Sequence, residues 1–158
     1  TRAHPHCEMR RRVWVVPPKE DPASNDPTLC ARLLKSVYGL RDAGQNFELF
    51  THTVMEGLNF ETGSWTPCLF RHRVKNTQVY VYGDNFVSRG SRRDQERLKN
   101  DLAKHMWIKV EGVLGPDRSQ GDSQELVCLN RIFRWNRATH DEPESIELEA
   151  DARHAEII

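Results

Sequence analysis

The stretch QVYVYGDNFVSRG, residues 78–90, decides how the rest of this sequence is interpreted. Apolar and polar residues alternate up to Tyr82, and apolar residues resume at Phe86. Alternation with a period of two indicates strands, and the Gly, Asp and Asn between them indicate a tight turn. The pattern therefore predicts a β-hairpin that carries a carboxylate, Asp84, at its turn. The neighbouring Asn85 has an amide instead of a second carboxylate.

Periodic apolar residues elsewhere predict an α+β domain. From residues 30–40, CARLLKSVYGL, the chain is predicted to turn into a helical pattern, in which apolar residues from Ala43 onwards repeat at intervals of three and four and which ends at Gly57. Ser91 is predicted to cap a second helix, residues 91–106. A further helix is predicted to begin at Asp151. The predicted strands comprise residues 13–16, 67–73, 77–82, 107–115, 125–135 and 144–150. This order favours a mostly antiparallel sheet with helices packed on one face, which fits a ferredoxin-like, split βαβ core.

The charge is unevenly distributed along a chain whose formal net charge is zero. Residues 1–41 contain eight Lys and Arg against four Asp and Glu, whereas residues 139–158 contain seven Asp and Glu against one Arg. A polarised chain can present a basic face to a polyanion in spite of its neutral total. Three successive arginines, residues 10–12, are candidates for contacts with nucleic-acid phosphates. The alternative is that these charges form an ordinary solvated surface.

The cysteine and hydropathy patterns argue against several classes of protein. The four cysteines are widely spaced and form no CxxC pair, which predicts reduced thiols in an intracellular compartment, the cytoplasm or the nucleus. His4, His6 and Cys7 are close in sequence, but a zinc site needs a second pair of ligands that the sequence does not show. No apolar run approaches the roughly 20 residues that cross a bilayer. No membrane partner is therefore expected.

Three stretches together resemble the reverse transcriptases of copia-type retrotransposons. LLKSVYGLRDAGQNF, residues 33–47, resembles the K-S/A-L-Y-G-L-K-Q-A-P-R-x-W segment of that family, and VYVYGDNF, residues 79–86, resembles its Y-V-D-D turn. MWIKVEGVLGP and ELVCLNRIFRW resemble the region that follows the second palm helix. The resemblance implies a polymerase palm, here residues 1–136, followed by an acidic segment, residues 137–158.

The resemblance also implies two-metal nucleotidyl transfer, in which carboxylates from different strands hold Mg²⁺. Asp84 matches the first Asp of the family's turn, a direct metal ligand, and is the metal-binding residue expected here. Asn85 falls on the second Asp and brings no negative charge. The family's other essential Asp is expected two residues before Thr1, and the chain is expected to be a fragment of a longer reading frame.

Further residues are implied to lie near the nucleotide or the template. Tyr38 and Gly39 match the family's Tyr-Gly, and Arg41 matches a basic residue there. Gln45 falls on the family's Arg position. His4 falls where an aromatic residue usually guards against ribonucleotides.

Three hypotheses about function follow. The first is a fragment of a retrotransposon Pol polyprotein that acts by ancestry on an RNA template, a DNA primer and dNTPs, with integrase and ribonuclease H domains as possible partners. This chain itself is expected to be inactive. The second is a non-catalytic nucleic-acid-binding or interaction module that retains the palm fold. The third is a translated remnant without function.

Overall fold

The computed structural model of the chain describes residues 7–140 and 143–149. These residues form two α-helices and nine β-strands. The chain divides into two compact units, Thr1–Ile108 and Lys109–Ile158. Neither helix in the described part of the chain is both long and apolar enough to cross a membrane.

A hairpin lies at the N-terminal end of the described residues. Its strands β1, Trp14–Val15, and β2, Ala31–Arg32, pair antiparallel. The pairing extends towards the N-terminus, where the Ser36 N–H donates to the Cys7 carbonyl over 2.8 Å. The predicted first strand is confirmed but shorter than expected. Pro17 follows it closely, and a proline has no N–H to donate to a ladder.

Both predicted helices are present, although the second ends three residues earlier than the predicted end at Met106. Helix α1 spans Ala43–Gly57, and helix α2 spans Arg92–Ala103. The Ser91 hydroxyl accepts the Asp94 N–H over 3.2 Å and so satisfies one of the backbone donors at the start of α2. Both predicted helices are confirmed.

A four-stranded antiparallel sheet forms the centre of the first unit. Its strands are β3, Phe60–Gly63; β4, Thr66–His72; β5, Gln78–Tyr82; and β6, Asn85–Arg89. Strand β3, which is short and has only Phe60 buried, was not predicted from the sequence. Strand β2 was not predicted either, because its residues lie in the stretch that was expected to lead into the first helix.

The hydrophobic core lies between this sheet and the two helices. Phe70 on β4 is opposite Val79 on β5, so their side chains share one face of the sheet. Buried residues of both helices pack against that face. The cluster comprises Val54, Met55, Phe60, Phe70, Val79, Leu98, Leu102 and Met106. The prediction of an α+β fold, with helices on one face of an antiparallel sheet, is therefore confirmed for this unit.

The strand order of this sheet is that of a meander, β3-β4-β5-β6. A split βαβ core would place a strand from elsewhere in the chain between two of its neighbours. The family's other essential Asp is expected two residues before Thr1, and residues 1–6 lie outside the described residues. The palm-like arrangement therefore stays a prediction.

The second unit contains a separate three-stranded antiparallel sheet. Its strands are β7, Glu125–Cys128; β8, Arg131–Asn136; and β9, Ser145–Leu148. The predicted strands at 125–135 and 144–150 are thus confirmed, the first as two strands. The division of the chain at residue 136 follows from the family resemblance and stays a prediction, and the helix expected at Asp151 lies outside the described residues.

The strand predicted at residues 107–115 is wrong. These residues have no regular structure apart from one isolated bridge between Leu114 and Ser123. The Gly115 N–H donates to the Ser123 carbonyl over 3.1 Å, and the Ser123 N–H donates to the Val113 carbonyl over 2.8 Å. The backbone groups near the end of this segment therefore bond within a local loop instead of along a neighbouring strand.

Candidate functional site

The hairpin of β5 and β6 places Asp84 at the tip of a two-residue turn. Tyr82 pairs with Asn85, so only Gly83 and Asp84 lie between the strands. Gly83 has φ 57°, in the left-handed region, and glycine at the first position of such a turn is typical of type II′ hairpins. The predicted hairpin is confirmed, with one correction. Asn85 is the first residue of β6 and does not belong to the turn.

Tyr38 and Gly39 form a second turn, just before helix α1. The Leu40 N–H donates to the Val37 carbonyl over 3.4 Å, which closes the turn. Gly39 has φ 88°, and a positive φ at the third position is the mark of a type II turn. A glycine is therefore required there by the backbone, and Tyr38 is held at the outer corner.

The two turns meet through their side chains. The Tyr38 hydroxyl donates to Oδ2 of Asp84 over 3.3 Å, across 46 positions of sequence. The ring of Phe47 on α1 also meets the ring of Phe86 on β6 edge to face, with centroids 6.4 Å apart. Cys7 is buried in the same cluster as Phe47. The packing of α1 on β6 thus brings the two stretches that carry the family resemblance together.

The remaining predicted site residues lie on the same segment as Tyr38 or outside the described chain. Arg41 precedes α1, Gln45 lies in its first turn, and both side chains are exposed. His4 lies outside the described residues. The roles of these residues in binding nucleotide or template stay predictions.

Arg11 and Asp42 tie the N-terminal hairpin to the start of α1. The Arg11 guanidinium donates two hydrogen bonds, from Nε to Oδ2 over 2.9 Å and from an Nη to Oδ1 over 3.0 Å. These hydrogen bonds hold the pKa of the Asp42 carboxyl below its usual value and raise the pKa of Arg11. Asp42 was not among the residues predicted from the sequence. One of the three arginines proposed for phosphate contacts is therefore engaged within the protein.

A buried polar pair, also missed from the sequence, anchors the same segment. The Asn46 amide donates to the Ser36 hydroxyl over 2.9 Å, and both side chains are buried. Asn46 lies between Ala43 and Phe47 on the apolar face of α1. A polar residue in that position is a signal that a buried partner exists, although the partner itself cannot be read from the pattern.

The described residues at the Asp84 turn provide fewer carboxylates than a two-metal site requires. In residues 7–140 and 143–149, no group of three or more His, Cys, Asp or Glu side chains could hold a metal ion. Asp84 offers one carboxylate, and Asn85 offers a neutral amide. Mg²⁺ requires near-octahedral oxygen coordination and is usually bound through carboxylates. The donor set seen here therefore does not by itself fit the implied pair of ions.

Comparison with known proteins bears on both turns. A family model described as Reverse transcriptase (RNA-dependent DNA polymerase) matches residues 1–116, a range that includes Tyr38 and Asp84. No solved structure matches the chain.

Proposed function

This chain belongs to the reverse transcriptase family, and we propose that it is part of a copia-type retrotransposon enzyme whose ancestral reaction is RNA-directed DNA synthesis. The resemblance found in the sequence is confirmed at the level of the family. Members of this family act on nucleic acids and use divalent metal ions. The proposal includes a palm-like arrangement, a Pol polyprotein with integrase and ribonuclease H domains as the source, and an intracellular location.

The contact between Tyr38 and Asp84 is the observation that carries this proposal. The two residues belong to separate stretches that each resemble the family, and folding places their polar atoms 3.3 Å apart. A chance resemblance in two unrelated stretches would not require the stretches to meet. The hydroxyl of Tyr38 orients the Asp84 carboxylate at the tip of the hairpin, where a rigid turn fixes its direction.

We propose that polymerase activity in this chain is low. A divalent ion, when bound, supplies the charge that stabilises the transferring phosphate, and a two-metal reaction needs carboxylates around both ions. Asp84 is the residue that would hold one ion. Asn85 would contribute at most a neutral oxygen, which attracts a cation less strongly than a carboxylate does.

A second candidate function is binding of nucleic acid without catalysis. The sheet face opposite the helices bears Tyr80 and Tyr82, and Tyr82 is 61% exposed. Strand alternation places Arg71 and Arg89 on the same face, and both are exposed. Exposed aromatic rings next to arginines suit stacking with bases and contact with phosphates. This open face favours retained binding over complete loss of function.

The test measures binding and primer extension separately. The chain and its Asp84→Ala variant are given an RNA template annealed to a DNA primer, dNTPs, and Mg²⁺ or Mn²⁺. We expect both proteins to bind the hybrid, also in EDTA, and neither to extend the primer above background. Asn85→Asp is expected to restore no extension, because the family resemblance places the essential partner of Asp84 on a different strand and this substitution does not supply it.

Two results would contradict the proposal in different ways. Extension that Asp84→Ala abolishes would show a working metal site and refute the proposed loss of activity. A folded chain that fails to bind the hybrid would refute any role with nucleic acid.

A further inference from the structure

The three arginines at residues 10–12 lie in a bulge of the N-terminal hairpin. The Met9 N–H donates to the Leu34 carbonyl over 3.1 Å. The Leu33 N–H donates to the Val13 carbonyl over 2.9 Å. Leu33 and Leu34 are adjacent, whereas three residues separate Met9 from Val13, so those three have no opposite partners. We refer to residues 10–12 as the arginine bulge.

Among the described residues, only the middle arginine of the bulge has a side-chain partner. Arg11 forms the bidentate pair with Asp42, and this pair fixes the bulge against the start of α1. Of the described carboxylates, none lies within 4.0 Å of the Arg10 or Arg12 guanidinium, and both side chains are exposed. Arg11 therefore has a role in holding the fold together, whereas the described contacts give Arg10 and Arg12 no such role.

The surroundings of the bulge increase its positive charge. Residues 7–15 and 31–42, which form the hairpin arms and the Tyr38 turn, contain six Lys and Arg but two Asp and Glu. One of those acids, Asp42, is paired with Arg11. The other is Glu8, whose Oε1 lies 3.5 Å from Nζ of Lys35. Cations in close proximity repel one another, and a polyanion relieves that repulsion.

An exposed aromatic ring lies beside the bulge. Trp14 follows Arg12 by two residues and is 58% exposed, although it belongs to a strand. An indole ring in this position can stack on an unpaired base but has no such partner in a duplex, whose bases are stacked already. The combination of unpartnered arginines and an exposed indole favours a single strand over a duplex.

We propose that the arginine bulge binds the phosphate backbone of single-stranded nucleic acid through Arg10 and Arg12, with Trp14 stacking on a base of the same strand. The proposal rests on the nucleic-acid function proposed above and adds the contact surface and the form of the ligand. Asp42, the anchor of the bulge, is four residues from Tyr38, or at most about 14 Å along an extended chain. A strand held there would therefore lie within a few nucleotides of the Asp84 turn.

The experiment measures how the affinity for a labelled oligo(dT) of about 16 nucleotides depends on salt. The full chain is compared with R10Q/R12Q and with a matched control, R97Q/K99Q, which removes two exposed charges from α2 in the same unit. Each phosphate contact to a single strand contributes about 0.7 to the slope of log K against log salt. R10Q/R12Q should therefore reduce the slope by about 1.4, and the control should leave it unchanged. Thermal unfolding of each variant shows that the fold is intact.

Two further measurements distinguish binding of the phosphate backbone from base stacking and from binding of a free triphosphate. W14A should weaken binding at least about fivefold without changing the slope, because stacking releases no counterions. Excess dTTP should not displace the oligonucleotide. If dTTP competes with the wild type but not with R10Q/R12Q, the bulge binds triphosphate and the assignment to a strand is wrong.

The remaining outcomes distinguish this inference from the function on which it rests. Equal slopes for R10Q/R12Q and R97Q/K99Q, with binding retained, would overturn the role of the bulge and leave the proposed function standing. If the folded wild-type chain binds the template–primer hybrid but not the oligonucleotide, the inference about the bulge is wrong and the proposed function stands. If it binds neither, both are overturned.

Discussion

Replacing Phe47 by alanine should destabilise the first unit and loosen the Asp84 turn. Phe47 is 3% exposed, and its ring packs edge to face on Phe86, two residues beyond Asp84. An aromatic residue buries about 150–250 Å². At about 25 cal/mol per Å², this area corresponds to about 4–6 kcal/mol. Since the Cβ of alanine remains buried, we expect Phe47→Ala to cost about 3–5 kcal/mol.

The matched control is Leu49→Ala on the same helix. Leu49 is exposed on the surface of α1, so its truncation should change the free energy of unfolding by at most about 0.5 kcal/mol. Urea unfolding followed by the helical circular-dichroism signal measures both variants. That signal reports on the first unit, because both α-helices of the described chain lie within it.

The coupling between the two rings provides a sharper test. A double-mutant cycle with Phe86→Ala should give an interaction of about 0.5–1.5 kcal/mol beyond the area effects. A loss below about 1 kcal/mol for Phe47→Ala, or a loss equal to that of Leu49→Ala, would refute the reasoning that α1 is packed on β6 at this point.

Two further predictions concern the turns of the central sheet. Gly83→Ala should cost about 1–2 kcal/mol, because alanine is strained at φ 57° although its Cβ would meet no atom within 4 Å. The control is Gly57→Ala, where the added Cβ also meets nothing within 4 Å but the backbone is helical. In the same urea assay it should be neutral or stabilise the unit by up to about 1 kcal/mol. Equal changes in the free energy of unfolding for the two variants would refute the argument from strain. Burial lowers the pKa of His72, and Nδ1 of its neutral ring accepts the N–H groups of Val74 and Lys75. The neutral ring therefore contributes stability that is fully present above pH 6.5. This stability is lost as the pH falls below 6.5 towards the lowered pKa of the folded state. Unfolding measured across that range should show this loss in the wild type and not in His72→Asn, and parallel curves would contradict it.

The elements with a strong local pattern could be predicted from the sequence. The apolar spacing from Ala43 to Gly57 and the cap at Ser91 gave both helices, and the alternation around Gly83 gave the hairpin. Local pattern failed at residues 107–115, where alternating apolar residues find no neighbouring strand to pair with. A strand needs a partner strand, which is often distant in sequence, whereas a helix satisfies most of its hydrogen bonds internally.

Only part of the candidate site could be predicted from the sequence. The sequence by itself determined the family resemblance, the acid at the tip of the turn and the amide at Asn85, because these depend on which residues stand in which order. Only the tertiary structure decided that Tyr38 reaches Asp84 and that Arg11 is held by Asp42, while Arg10 and Arg12 have no carboxylate partner in the part of the chain that the structure describes. These contacts join residues 46 and 31 positions apart. Their geometry follows from the way α1 packs against β6 and the hairpin, which no local pattern of residues encodes.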